Sequence, residues 1–257
     1  MTNPLFLWKP IRNWFDKSTQ KQLEAQVILA KFPIHLGLIL DGNRRFAMSI
    51  GVAKKQGYAM GIQHFHDVLK WCFEYHIRYV SIWVFSTENW QREEEEVNDV
   101  TELFLREAES QLKSGEFARL GVQFKALGDY SKFPKKLQDL LHELETITES
   151  GQNLTLNVCI GYGGQQEIVD SVNSAVTANP GKAITAEMLT EHSYLGDQPA
   201  PDLIIRTSGE HRHSGFLLWH SPYAEYFFSS TFWPAWSKVD FLTAMLDYQK
   251  RNRRFGK

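Results

Sequence analysis

The fold class this sequence predicts is α/β: a single domain with a mostly parallel central sheet flanked by helices. Two patterns predict it. Short apolar runs rich in β-branched and aromatic residues alternate with segments whose apolar residues recur every three or four positions, as a parallel sheet with crossover helices requires. Polar, glycine-bearing stretches follow several of those runs directly, as loops at the carboxyl ends of parallel strands do. With 257 residues, 43% hydrophobic and 23% charged, the chain can bury one substantial core.

The elements follow in order. Residues 6 to 17 mix aromatic and basic side chains (Phe6, Trp8, Lys9, Arg12, Trp14, Phe15, Lys17), and a helix is expected from about Thr19 to Lys31. Such a segment suits peripheral contact with a membrane surface or packing on the domain; packing or plain solvation is the simpler reading. Residues 1–32 are therefore set apart from a domain spanning 33–257. Strands are expected at Ile34 to Leu40, Tyr79 to Phe85, Val122 to Leu127, Leu154 to Ile160 and Leu203 to Ile205. From near Gly61, the residues Ile62, Phe65, Val68, Leu69, Cys72 and Phe73 form a core-facing helical stripe, and Val97, Val100, Leu103, Phe104 and Ala108 form another. Helices are also expected over Leu137 to Ile147, Ile168 to Val176 and Val239 to Arg254. Ala178 to Lys182 and Gly196 to Pro201 read as loose segments, and there is no internal repeat.

Composition narrows the function. A net charge of -2 gives no global attraction to nucleic acid, so anion binding must come from local arginines, which points to a small anionic substrate. Cys72 and Cys159 sit in apolar runs without metal-ligand spacing, as two buried thiols in a reducing compartment would. No apolar run approaches the roughly 18 residues of a membrane span, and a cytoplasmic location is expected. Aromatics reach 13%, enough to line an apolar cavity or simply to fill a core.

The unusual chemistry lies after the strands. The first delivers Asp41-Gly42-Asn43-Arg44-Arg45, the second Ser86-Thr87-Glu88-Asn89-Trp90 and then Arg92, the fourth Gly161-Tyr162-Gly163-Gly164, and the fifth Arg206 through Arg212 and His213 to Ser214. One acid, several guanidinium forks, hydroxyls and an amide are suited to gripping diphosphates with a divalent ion. No Gly-x-x-x-x-Gly-Lys run is present, which disfavours a P-loop nucleotidase, and no Asp-Asp-x-x-Asp pair supplies an aspartate-rich metal site. His64 and His66, like His211 and His213, lack a third ligand for zinc, and the pair on the helix reads as a surface feature. The run Glu93 to Glu96 reads as a solvated helix start, with Glu96 the member best placed to do more. The Gly-Tyr-Gly-Gly stretch reads as a tight strand-to-helix turn.

Asp41-Gly-Asn-Arg-Arg, Phe85-Ser-Thr-Glu-Asn-Trp90 with Arg92 and Glu96, Arg206-Thr-Ser-Gly-Glu-His-Arg212 with Ser214, and Phe216-Leu-Leu-Trp219 followed by Tyr223-Ala-Glu225 closely resemble the cis-prenyltransferase family, which includes undecaprenyl diphosphate synthase. The resemblance runs from about Pro33 to the C-terminus. It implies the cis-prenyltransferase fold with a hydrophobic tunnel. It also implies a magnesium-dependent homodimer that condenses isopentenyl diphosphate with an allylic diphosphate to form a cis-polyprenyl diphosphate, as in carrier-lipid synthesis. Asp41 and Glu225 would be the magnesium carboxylates, with Asp41 assisting departure of the leaving group and Asn89 assisting proton removal. Gly42, Asn43, Arg44 and Arg45 would cradle the allylic diphosphate, while Arg206, Arg212 and Ser214 would bind that of isopentenyl diphosphate. Ser86, Thr87, Glu88, Trp90 and Arg92 match the loop around Asn89, Phe46 and His213 complete the binding set, and Arg254-Phe255-Gly256 resembles an ending that reaches the partner subunit's site.

Some positions depart from the family's pattern: Phe46, Lys54, Gly57-Tyr58, Gly161 with Gln165, and Gly215. Lys54 can still neutralise a phosphate, but as a point charge, and Tyr58 can donate one hydrogen bond without titrating near neutral pH. These departures keep a second reading open, a short-chain or irregular, branched prenyl diphosphate synthase. A third, a non-catalytic subunit of a heteromeric synthase, fits poorly with a chain that keeps Asp41, Asn89, Arg206, Arg212 and Glu225. Trp83 and Phe104 are candidates for lining the tunnel.

Overall fold

A computed structural model describes residues 17–252, which wrap helices around one six-stranded sheet of order β3-β4-β2-β1-β5-β6. Every adjacent pair is parallel. The strands are β1 (His35–Ile39), β2 (Tyr79–Ser86), β3 (Val122–Leu127), β4 (Leu154–Tyr162), β5 (Leu203–Arg206) and β6 (Glu225–Phe228). Five of them stand where the apolar runs put them. The sixth is a four-residue edge strand whose residues are all half-buried, so it carries neither a long apolar run nor a clean alternation.

Parallel strands need both faces covered, and all five residues of β1 are buried accordingly. Leu36 and Leu38 point into a large cluster with Val68, Cys72, Phe241 and Met245, whereas Ile39 and Ile204 share a second cluster with Cys159, Tyr162 and Phe216. Each such apolar side chain stabilises the fold by about 1.5 to 3 kcal/mol. Both thiols are free and buried. Three polar side chains inside the sheet pair with one another and with backbone: His35 Nε2 meets Ser81 Oγ at 2.8 Å, its Nδ1 meets the Pro199 carbonyl at 2.6 Å, and Asn157 donates to Ser81. Burial pushes the His35 imidazole down to about 4, so it stays neutral and pins β1 to β2 and, through Asn157, to β4.

The helices are α1 (residues 17–24), α2 (Asn43–Ser49), α3 (Lys54–Glu74), α4 (Glu94–Ser114), α5 (Glu116–Leu120), α6 (Lys135–Thr148), α7 (Gly164–Ala178), α8 (Ala186–Glu191) and α9 (Lys238–Lys250). The expected N-terminal helix to Lys31 is interrupted. The side chain of Gln249 clamps both backbone groups of Ile28, and a short 3-10 turn, Leu29–Lys31, replaces the final helical turn. Helix α3 starts at Lys54 rather than near Gly61, because its first turns are polar. Residues 6 to 16 and Arg254-Phe255-Gly256 lie outside the described residues.

Strand order reverses at β1: β2 and β4 lie on one side, β5 and β6 on the other. In such sheets the crevice beyond the carboxyl ends at the reversal is the natural ligand site. The loops after β1, β2 and β5 meet there.

Candidate active site

Asp41 leaves β1 directly, and its backbone is fixed before its side chain does anything. Thr207 Oγ1 donates to its carbonyl at 2.6 Å and the Trp233 amide donates at 3.0 Å. The next residue, Gly42, turns at φ +109 into α2; a Cβ there would lie 2.9 Å from the Phe232 ring and 3.0 Å from Ser208, so only glycine combines the turn with this close packing. Asp41 then accepts from Arg206 at 3.0 Å through one oxygen and from Arg45 at 3.4 Å through the other. Burial opposes ionisation, but Arg206 above all, then Arg45 and Ser208, hold the carboxyl below the ordinary aspartate range. Arg206, itself buried, also donates to Ser214 Oγ and the Arg212 carbonyl, while Arg45 reaches Ser208 Oγ at 2.6 Å and Glu210 at 3.1 Å. Left-handed backbone at Ser208, Gly209, Ser214 and Gly215 folds this loop back onto the site.

Across the crevice a second acid collects cations. Glu96, in the first turn of α4, is buried; Tyr58 donates to it at 2.8 Å, and Arg92, Lys54 and Arg44 lie at 3.1, 3.4 and 3.5 Å. Arg92 also donates to the Tyr58 oxygen. Burial works against the Glu96 charge, yet Tyr58 and then Arg44 and Arg92 keep its carboxyl low, and burial raises the Tyr58 phenol, which stays protonated. Glu96, the member of the acidic run that the sequence singled out, thus aims Arg44 and Arg92 at the crevice.

Between the two clusters lies a polar cavity of about 800 Å³. Asp41, Gly42, Asn43, Arg44, Arg45, Tyr58, Ser86, Glu88, Asn89, Arg92, Arg206, Arg212 and Ser214 line it, as does Glu210. Five arginines against three carboxylates give it a net positive wall suited to an anion. A second cavity, of about 150 Å³, continues from it under the sheet between α3 and α4, sharing Leu40, Asn43, Tyr58, Trp83 and Val84. Its wall is apolar, with Ile62, Phe65, Val100, Phe104, Leu144 and Leu156 among its residues. Both tunnel candidates, Trp83 and Phe104, are on it.

Several expected ligand residues are not on the polar cavity. Trp90 packs on Phe133 and Phe85, with ring centroids 4.5 and 4.9 Å away, and belongs to the aromatic core. Thr87 turns toward Gly163, His213 accepts from the Gly215 amide through Nδ1, and Phe46 is half-buried on α2 away from the lining. Lys54 reaches the site only through Glu96. Glu225 does not join Asp41 within this chain. It opens β6 level with Leu203, three residues before Arg206 in the register, and pairs with Arg251 at 2.8 Å. The histidines of α3 are not surface features: His64 packs between Trp71 and Trp233, and His66 meets Glu107 at 3.0 Å. The Gly-Tyr-Gly-Gly stretch is structural; a Cβ at Gly161 would lie 2.0 Å from the Asp129 carbonyl, and one at Gly164 2.0 Å from that of Gly215.

A parallel sheet whose switch point opens on an arginine-lined cavity that shares a wall with an apolar one can receive an anionic head and an apolar tail together. Residues 39–256 match the family described as "Putative undecaprenyl diphosphate synthase", and the chain belongs to that family, whose members are cis-prenyltransferases. It is 43% identical over 252 residues to an isoprenyl transferase of Deinococcus radiodurans, covering 95% of this chain and 91% of that protein. It is 41% identical over 230 residues to a tritrans,polycis-undecaprenyl-diphosphate synthase (geranylgeranyl-diphosphate specific) of Thermoplasma acidophilum, covering 88% and 89%. The crystal structure of lavandulyl diphosphate synthase from Lavandula x intermedia in complex with dimethylallyl diphosphate superposes with a TM-score of 0.83 at 28% identity, over 89% of this chain and all of that one.

Proposed function

We propose that residues 33–257 form the catalytic domain of an elongating synthase, which adds isopentenyl diphosphate to an allylic diphosphate with new cis double bonds. The observation that carries this is the shared wall of the two cavities. A ligand whose charged head sits among Arg44, Arg45 and Arg206 has its tail directed past Tyr58 and Trp83 into the apolar space.

The residues have distinct tasks. Asn43, Arg44 and Arg45 stand at the start of α2 beside the apolar opening and hold the allylic diphosphate. Arg206, Arg212 and Ser214 form the other wall and hold isopentenyl diphosphate. Negative charge growing on the departing diphosphate is met by fixed guanidiniums, so stabilisation falls on the transition state. Asn89 Oδ1 is engaged by the Ser86 amide at 3.1 Å, which leaves its Nδ2 to position the diphosphate oxygens near the proton to be removed. The apolar wall keeps water from the allylic cation.

The donor set suits magnesium that arrives with substrate. Among the described residues no group of three or more His, Cys, Asp or Glu gathers to hold a metal, whereas one partly exposed carboxylate beside a diphosphate pocket is what a magnesium bound largely through phosphate oxygens requires. Asp41 would hold it, and bound there it supplies Lewis-acid neutralisation of the leaving group. Excess chelator is expected to abolish turnover; full activity in chelator would remove the ion from the account.

A homodimer is supported by the exposed valine stripe Val169, Val172 and Val176 on α7. A cytoplasmic enzyme, meeting the membrane at most peripherally, accords with the absence from the described residues of any helix long and apolar enough to cross a membrane. The likeness to lavandulyl diphosphate synthase favours irregular coupling as the second reading. Incubation with isopentenyl diphosphate and primers from dimethylallyl to geranylgeranyl diphosphate separates them. A ladder of cis-extended products is expected, and a branched ten-carbon product from dimethylallyl diphosphate alone would establish irregular coupling instead.

A further inference from the structure

The wall of the apolar cavity is not all hydrocarbon: Glu107 and Gln111 are part of it. Helices α3 and α4 leave the Glu96 cluster together and meet again where His66 pairs with Glu107, roughly three turns along α4, or about 16 Å. There Gln111 Nε2 donates to the same Glu107 oxygen at 2.9 Å, while Gln111 Oε1 is buried and has no hydrogen-bond partner. Glu107, Gln111 and Phe117 line the inner cavity and also an outer groove of about 330 Å³ between α3 and the α4–α5 corner. They are a wall between two spaces. An amide oxygen sealed without a partner beside a carboxylate is a poor way to pack a core, where a leucine would serve better. It is an effective barrier to hydrocarbon, which can neither bond to these groups nor pass without separating them.

We propose that Glu107 and Gln111, oriented by His66, form a polar stop that fixes product length. The inference rests on the reading of the apolar cavity as the product site. A growing tail advances past Phe65 and Phe104 until its end reaches the Glu107–Gln111 bond. Further growth must force the pair apart and set methyl groups against a carboxylate, so elongation slows and product leaves. The groove behind the wall means that opening the stop provides new space.

The test compares wild type, Glu107→Ala/Gln111→Ala and Gln111→Leu with magnesium, isopentenyl diphosphate and geranylgeranyl diphosphate. Dephosphorylated products are sized by mass, the rate of the first condensation is followed alongside, and unfolding is checked by circular dichroism. Both variants are expected to move the dominant product up by at least one isopentenyl unit. Gln111→Leu keeps the side chain's bulk and removes only its polarity, so it carries the test if the double variant does not fold. A folded, active variant with unchanged or shorter products would overturn the stop, as would a slower first condensation with no change in length. A wild type that makes no prenyl product at all would overturn the elongation reading and the stop with it.

Discussion

Asp41 and Glu96 face each other across one crevice, each ringed by guanidiniums, and they differ chiefly in exposure. The Asp41 side chain is 30% exposed to the cavity, whereas that of Glu96 is 5% exposed. A carboxylate open to the ligand space can exchange its arginine partners for a diphosphate and its ion. An enclosed one cannot, and its effect on ligand is confined to where it holds Arg44, Arg92 and Tyr58. The same residue chemistry therefore gives a reacting group on one wall and a positioning group on the other.

Substitutions should separate the two. Asp41→Ala is expected to lower turnover by roughly 10³-fold, with the thermal midpoint little changed; substantial turnover would break the distinction from the Asp41 side. Glu96→Gln keeps a partner for Tyr58 but strips the charge from a buried cluster. A stability loss of about 2 kcal/mol is expected, together with a raised KM for the allylic substrate and a kcat reduced far less than by Asp41→Ala. Equal effects of the two variants on kcat would break it from the other side. Acid sharpens the contrast. Both carboxyls are held below their ordinary values, so their contributions are complete above the usual carboxylate range near pH ~4 and are lost as pH falls through the depressed values. Denaturant unfolding of wild type and Glu96→Gln should therefore converge as the pH is lowered through that range; a constant gap would remove Glu96 ionisation as the cause. Lys54→Met should show the smallest change, within about 1 kcal/mol, because its ammonium is half-exposed.

The sequence displayed the core strands because each is a short run rich in apolar residues, and it displayed the loops after them because an acid, several arginines and an amide gather directly behind those runs. Other features depend on three-dimensional register. Helix α2, Asn-Arg-Arg-Phe-Ala-Met-Ser, has no apolar period: its first three residues line the ligand cavity and only Ala47 is buried. The displacement of Glu225 from Asp41 follows from the pairing of β5 with β6, which no local pattern encodes. Glu96 stood out from its acidic neighbours in the sequence, but its partners became legible only where α3 packs beside it, while Trp90 and Thr87 sat in a chemically rich loop but turn toward the core and toward Gly163. His66 and Glu107 are ordinary members of two helical stripes, and only the crossing of α3 and α4 joins them.

The most direct measurement is a crystal structure with magnesium and an unreactive allylic thio-diphosphate. The diphosphate is expected between Asp41 and Arg44, with the hydrocarbon running between Phe65 and Phe104 toward Glu107. A diphosphate bound outside the crevice, or a tail lying along the surface while the apolar cavity stays empty, would contradict the account.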